Sequence, residues 1–150
     1  MKQIVVATDG SPSAREAVEV ALDLADEHSA EITFVHVLPA DDFVVAGRGA
    51  PVMPRPHAVE MDESEEALAD AANAAEAAGV SYTLERISGD PLDEIVAVAD
   101  AKNADLVVVG SRGRGTLASA LLGSVSRGLL SNGKHAVLVV RAAKPAKVTV

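Results

Sequence analysis

The residues best suited to chemistry lie late in the chain. Gly110-Ser111-Arg112-Gly113-Arg114-Gly115-Thr116 is followed shortly by Gly123-Ser124-Val125-Ser126. Glycines let a backbone turn sharply and let a ligand approach without a Cβ in the way. Successive backbone N–H groups leading into a helix suit phosphate oxygens. Ser124 and Ser126 add hydroxyl donors, and Arg112 and Arg114 add positive charge. Each residue type also has a plainer use: the glycines in a strand-to-helix turn, the serines in a helix, the arginines as solvated charges.

The charge distribution is uneven and allows an anion here. The net charge is −9, yet residues 106–150 contain 7 of the 13 Lys and Arg and no Asp or Glu, all 22 acids lying in residues 1–105. An acid-free stretch in an acidic protein is a local place for an anion, although buried strand and helix would also carry few charges. The acidic remainder argues against non-specific binding to nucleic acid or anionic lipid.

Generic phosphate motifs fail. Gly110-x4-Gly115-Thr116 lacks the lysine of a P-loop, and the fragment Gly113-Arg114-Gly115 is a weak echo of the dinucleotide fingerprint at the wrong strand. His28, His36, His57 and His135 show no metal-ligand spacing. The absence of cysteine excludes disulfides, thiolate metal sites and cysteine catalysis in this chain.

The elements that must position the loop follow from periodicity and punctuation. Lys2–Thr8 reads as a first strand, apolar on both faces as expected for a strand covered on both sides. Asp9-Gly10-Ser11-Pro12 is turn chemistry, and Ser13 with Glu16 makes a capping box for a first helix reaching His28. Glu31–Leu38 is a second strand. Residues 39–57, with four prolines, form a long loop, expected to be mobile. Residues 58–78 form a second helix ended by Gly79, and Ser81–Ile87 a third strand. Asp90-Pro91 opens a third helix. Asp105–Val109 is a fourth strand, residues 117–131 a fourth helix, and Ala136–Val140 a fifth strand.

Five strands alternating with four helices predict a single α/β domain: a doubly wound parallel sheet with helices on both faces, Rossmann-like. The 150 residues suit one domain, assigned to 1–141, with 142–150 as a loosely held tail. An apolar fraction of 49% can fill its core. No apolar run reaches the roughly 18 residues of a membrane span. The first residues pass straight into a strand-like run, so no signal peptide and a cytoplasmic location are expected.

Gly110-x2-Gly113-x9-Gly123-Ser124 resembles the nucleotide-binding signature of the universal stress protein family. The resemblance extends to Ile4-Val5-Val6-Ala7-Thr8-Asp9-Gly10-Ser11, Phe34-Val35-His36-Val37, Gly89-Asp90-Pro91 and Ala136–Arg141. It implies a sheet of order 3-2-1-4-5, of the adenine nucleotide alpha hydrolase-like type, with Asp9 and Gly110 facing one crevice at the switch point. It also implies an ATP-binding stress-response module, with ADP or AMP as alternatives and Mg²⁺ held on phosphates rather than by a protein cage. By the same resemblance Asp9 lies at the adenosine end and Val37 contacts adenine. Gly110, Gly113, Gly123 and Ser124 hold ribose and phosphates, with Ser111, Arg112, Val125 and Ser126 nearby and Thr8 and Ser11 as weaker candidates.

Slow ATP hydrolysis is the enzymatic alternative. It lacks a nominated base, since no Asp, Glu or His falls between Asp105 and His135. A nucleotide-free interaction domain is the other. A response-regulator phosphoacceptor is rejected, because the third strand ends in Arg86-Ile87-Ser88-Gly89 and the fifth in Val140-Arg141, without the needed Asp and Lys. ATP-pyrophosphatase relatives are rejected because Asp9-Gly10-Ser11-Pro12 is not their Ser-Gly-Gly loop. The apolar fifth strand would be a sheet edge, which predicts a homodimer through 136–140.

Overall fold

The central strands of the sheet are largely apolar on both sides because both sides are covered. The computed structural model describes residues 1–39, 43–44, 53–54, 57–113 and 122–142. In chain order these form β1 (Gln3–Ala7), α1 (Pro12–His28), β2 (Glu31–Leu38), β3 (Phe43–Val44), β4 (Met53–Pro54), α2 (His57–Ala78), β5 (Tyr82–Ser88), α3 (Pro91–Ala101), β6 (Leu106–Gly110), α4 (Ser124–Asn132) and β7 (Val137–Val140). Five strands make one sheet in the order β5-β2-β1-β6-β7, every pair parallel. This is the 3-2-1-4-5 order expected of the five long strands.

Successive residues of a strand point to opposite faces, and the core divides accordingly. Ile4, Val6, Phe34 and Val108 pack with Ala17, Ala21, Leu22, Leu68, Ala71 and Ala75 of α1 and α2. Val5, Val35, Val107 and Val109 pack with Ile95, Val98, Ala99 and Leu129 of α3 and α4. Alanine on the helix faces brings the helix backbones close to the sheet, so a core with few aromatic residues still closes. Phe34, fully buried, meets Tyr82 with ring centroids 6.1 Å apart. Among the described residues no helix is long and apolar enough to cross a membrane.

Local signals set most element ends. Asp90 caps α3, its carboxylate accepting the Asp93 N–H at 3.1 Å, with Pro91 in the first turn. Gly79 follows α2 at φ +69°, a left-handed conformation that favours glycine. Two expectations need correction. Ser11, not Ser13, caps α1, its side chain accepting from the Ala14 N–H. Pro12, with its fixed φ and missing N–H, starts the helix two residues earlier than a Ser13 cap would, and the Ser13 hydroxyl is used elsewhere. The fourth helix begins at Ser124 rather than near 117, with Gly123 as its N-cap; residues 114–121 lie outside the described residues.

Residues 39–57 are not simply loop, since Phe43–Val44 and Met53–Pro54 pair antiparallel. The rest of that segment, apart from Pro39 and His57, lies outside the described residues, as do Arg114 and residues 143–150 of the tail.

The two strands that frame the crevice are pinned at their starts. The Asp105 carboxylate accepts the N–H groups of Lys2 at 2.6 Å and Gln3 at 3.0 Å. These two backbone hydrogen bonds hold its carboxyl below the ordinary range. Ile4 then pairs with Leu106 and Ala7 with Val109, so β1 and β6 run out at the same level.

Candidate functional site

At that level the chain leaves the sheet in two directions. From β1 it turns through Asp9 and Gly10 into α1, on one face; from β6 it runs through Gly110–Gly113 toward α4, on the other. This divergence between adjacent parallel strands is a topological switch point, where open α/β sheets bind ligands.

The β1 turn is built by Asp9, whose Oδ1 accepts the Ser11 N–H at 2.9 Å. This is the Asx-turn that aspartate favours. Two serines at the start of α1 then hold the other loop. Ser13 Oγ donates to the Arg112 carbonyl at 2.5 Å and accepts the Arg112 N–H at 3.3 Å, while Ser11 Oγ donates to the same carbonyl at 3.2 Å. So tight an approach of α1 to the end of β6 needs Gly110: a Cβ there would lie 2.5 Å from Ser13 Oγ and 2.7 Å from the Ala14 nitrogen.

Several loop N–H groups are spent inside the protein. The Ser111 N–H donates to the Val140 carbonyl and the Gly123 N–H to the Ser111 carbonyl, both at 2.7 Å. The Ser126 hydroxyl, buried, lies 3.3 Å from the carbonyls of Gly110 and Ser111. It therefore braces the loop rather than offering itself to a ligand. Among the described residues, the first turn of α4 is what an anion can address. Gly123 caps that helix with no side-chain hydrogen bond, and the first-turn N–H groups of a helix have no partner within it. They carry the positive end of the helix dipole.

Between these walls lies a cleft of about 470 Å³, a size ordinary for small-molecule sites. It gathers Asp9, Val37, Gly110, Arg112, Gly113, Gly123, Ser124, Val125 and Ser126 from four elements and their loops. Thr8 lines it as well. Ser111 is buried behind the loop and does not line the cleft, and Ser11 is taken up in capping α1 and holding Arg112.

The cleft has two characters. Val37, Pro91, Ile95, Val109 and Val125 give it an apolar flank on the α3 and α4 side; Thr8, Asp9, His36 and Glu63 give it a polar one. Sequence reasoning missed His36, Glu63, Pro91 and Ile95. His36 had a usable signal, since it directly precedes Val37 at the end of β2. Glu63 had none, because its arrival depends on how α2 lies across the sheet. Among the described residues there is no group of three or more His, Asp or Glu placed to hold a metal ion.

Comparison with known proteins gives a consistent result. A family model described as the universal stress protein family matches residues 1–141. Universal stress protein MJ0531 of Methanocaldococcus jannaschii is 37% identical over 149 residues, an alignment that covers 97% of this chain and 84% of that protein. A solved universal stress protein in complex with cAMP is 30% identical with a TM-score of 0.69, covering 95% of this chain and 98% of that one. The structure of MJ0577 has a TM-score of 0.78 at 23% identity, covers 96% of this chain and 98% of that one, and bears on the fold.

Proposed function

This chain belongs to the universal stress protein family, and from that premise we propose that it binds an adenine nucleotide in the cleft between β1 and β6. The observation that carries the reading is Gly123. Its own fold does not need a glycine there: φ is −71°, and an added Cβ would meet nothing closer than the Ser111 carbonyl oxygen at 3.5 Å. A bare N-cap in front of the first-turn amides of a helix is what a close-approaching anion requires.

The two flanks divide the ligand. The base suits the apolar side, between Val37, Pro91, Ile95 and Val125. The ribose suits the polar side at Asp9. The phosphates suit the first turn of α4, with Gly113, Ser124 and the Arg112 side chain alongside. ATP is the proposed nucleotide, with ADP or AMP using the same seat. Mg²⁺ accompanying ATP would rest on phosphates and water. The cAMP complex of a relative supports the adenine nucleotide class.

In this reading the protein is a cytoplasmic stress-response module whose nucleotide occupancy is read by a partner, rather than an enzyme. Slow ATP hydrolysis is the second reading, favoured by the Glu63 carboxylate on the cleft wall. Turnover above about 1 per second would make it the first.

Mass spectrometry of the small molecules released on denaturing the purified protein, with calorimetric titration by ATP and Mg²⁺, tests the proposal. An adenine nucleotide in the released fraction or saturable micromolar binding is expected. No nucleotide released and no binding at millimolar ATP would overturn it.

A homodimer is the proposed assembly. Among the described residues β7 pairs with β6 alone, and its four residues Val137–Val140 are only half-buried. Pairing with a second copy about a two-fold axis would cover that apolar edge. Light scattering at micromolar protein should read twice the mass of one chain, and a single-chain mass would count against it.

A further inference from the structure

His36 is the one histidine lining the cleft among the described residues, and it is 9% exposed. Its Nδ1 lies 2.8 Å from the Thr8 carbonyl oxygen. A carbonyl can only accept, so Nδ1 carries a proton, and in the uncharged form of the ring Nε2 is then the acceptor. The bond to Thr8 is the ring's only hydrogen bond among the described residues. Nε2 is not sealed in the core either: among the described residues the buried side-chain polar atom without a partner is Ser64 Oγ. His36 is among the residues that line the cleft.

Strand geometry decides what the ring can meet. Val35 and Val37 point to the α3 and α4 side with the apolar flank, so His36, between them, points to the opposite side with Phe34. It stands beside the Thr8–Asp9 turn whose backbone it holds. Phosphate belongs at the first turn of α4, and a phosphate oxygen brings no proton to an acceptor. The base belongs on the apolar flank. The part of a nucleotide left for this wall is the sugar, and its hydroxyls are donors that a carboxylate and an imidazole acceptor can both take.

We propose that His36 is a specificity-determining residue that reads the ribose, its Nε2 accepting a hydrogen bond from a sugar hydroxyl next to Asp9. This rests on the adenine-nucleotide reading of the cleft. Through Thr8 the same ring orients the turn that presents Asp9, so sugar recognition and the shape of the β1 turn are joined in one side chain.

Calorimetric titration with AMP and with 2′,3′-dideoxy-AMP tests it, in the wild type and in His36→Phe. The wild type should bind AMP more tightly. In His36→Phe the preference should fall about tenfold, the worth of one hydrogen bond to a buried acceptor, while dideoxy-AMP affinity stays within about threefold. Equal weakening of both ligands by the substitution, or no preference in the wild type, overturns the proposal. Failure of the wild type to bind either ligand overturns the nucleotide reading with it.

A second measurement needs no variant. The ¹⁵N resonance of His36 Nε2 in the wild type should move on adding AMP in the direction of hydrogen-bond acceptance, and should not do so with dideoxy-AMP. The same response to both ligands overturns the assignment.

Discussion

Gly110→Ala is expected to cost about 3 kcal/mol or more of folding stability, at the upper end of what overpacking a close contact does. The new Cβ would lie 2.5 Å from Ser13 Oγ, 2.7 Å from the Ala14 nitrogen and 2.8 Å from the Ser13 carbonyl carbon. Two of these three atoms are backbone of the first turn of α1, so no side-chain rotation relieves the clash. Either α1 slides along the sheet, opening the layer of Ala17, Ala21 and Leu22 beneath it, or β6 is pushed from its register. Sliding also breaks the hold of Ser11 and Ser13 on the Arg112 carbonyl. Urea unfolding should show the loss, and a thermal midpoint lower by about 10 °C should accompany it. Adding Ser13→Ala should restore little, because the backbone contacts remain. A loss under about 1 kcal/mol would mean that α1 does not approach β6 as described.

Gly123→Asp should do the reverse: leave the fold intact and remove nucleotide binding. The position is extended, with φ −71° and ψ 165°, and the space around its missing Cβ is ordinary. Aspartate is a favoured N-cap, and a carboxylate suits the positive end of a helix, so stability should hold or rise by about 1 kcal/mol. The same carboxylate would take the amides of the first turn of α4 and set a negative charge in the phosphate seat. ATP affinity should fall about 100-fold or more, equivalent to about 2.7 kcal/mol. Calorimetric titration and a melting curve on one preparation read both halves. Unchanged affinity would show that phosphates bind elsewhere; a collapsed melting curve would show that Gly123 serves the fold. Two glycines of one motif are thus predicted to separate, one by packing and one by ligand.

The central strands β1, β2 and β6 were legible because burial on both faces leaves a dense β-branched signal. β2 begins and ends at Glu31 and Leu38, as read from the sequence. Asp90-Pro91 and Gly79 carried their boundaries in side-chain chemistry and backbone freedom. The start of α1 was misplaced by two residues at its cap because Ser11 and Ser13 offer the same hydroxyl. Their roles are separated by the Ala14 N–H, which Ser11 accepts, and by the Arg112 N–H, which Ser13 accepts. The start of α4 was misplaced because residues 117–122 are as apolar and alanine-rich as a helix, and periodicity alone cannot place a first turn.

By itself the sequence determined the alternation of strands and helices, the parallel sheet that alternation implies, and the glycine spacing after the fourth long strand. These rest on local preferences: side-chain period, capping groups and the conformations a residue can adopt. Tertiary structure alone decided that Gly110 is bare for the sake of α1 and Gly123 is not, that the hydroxyl of Ser126 is turned inward, and that His36 and Glu63 enter the cleft. Those outcomes depend on which residues far apart in the chain come within a few ångströms, as Ser13 and Arg112 do across 99 positions. No local preference encodes such a distance; the layering of helices on the twisted sheet sets it.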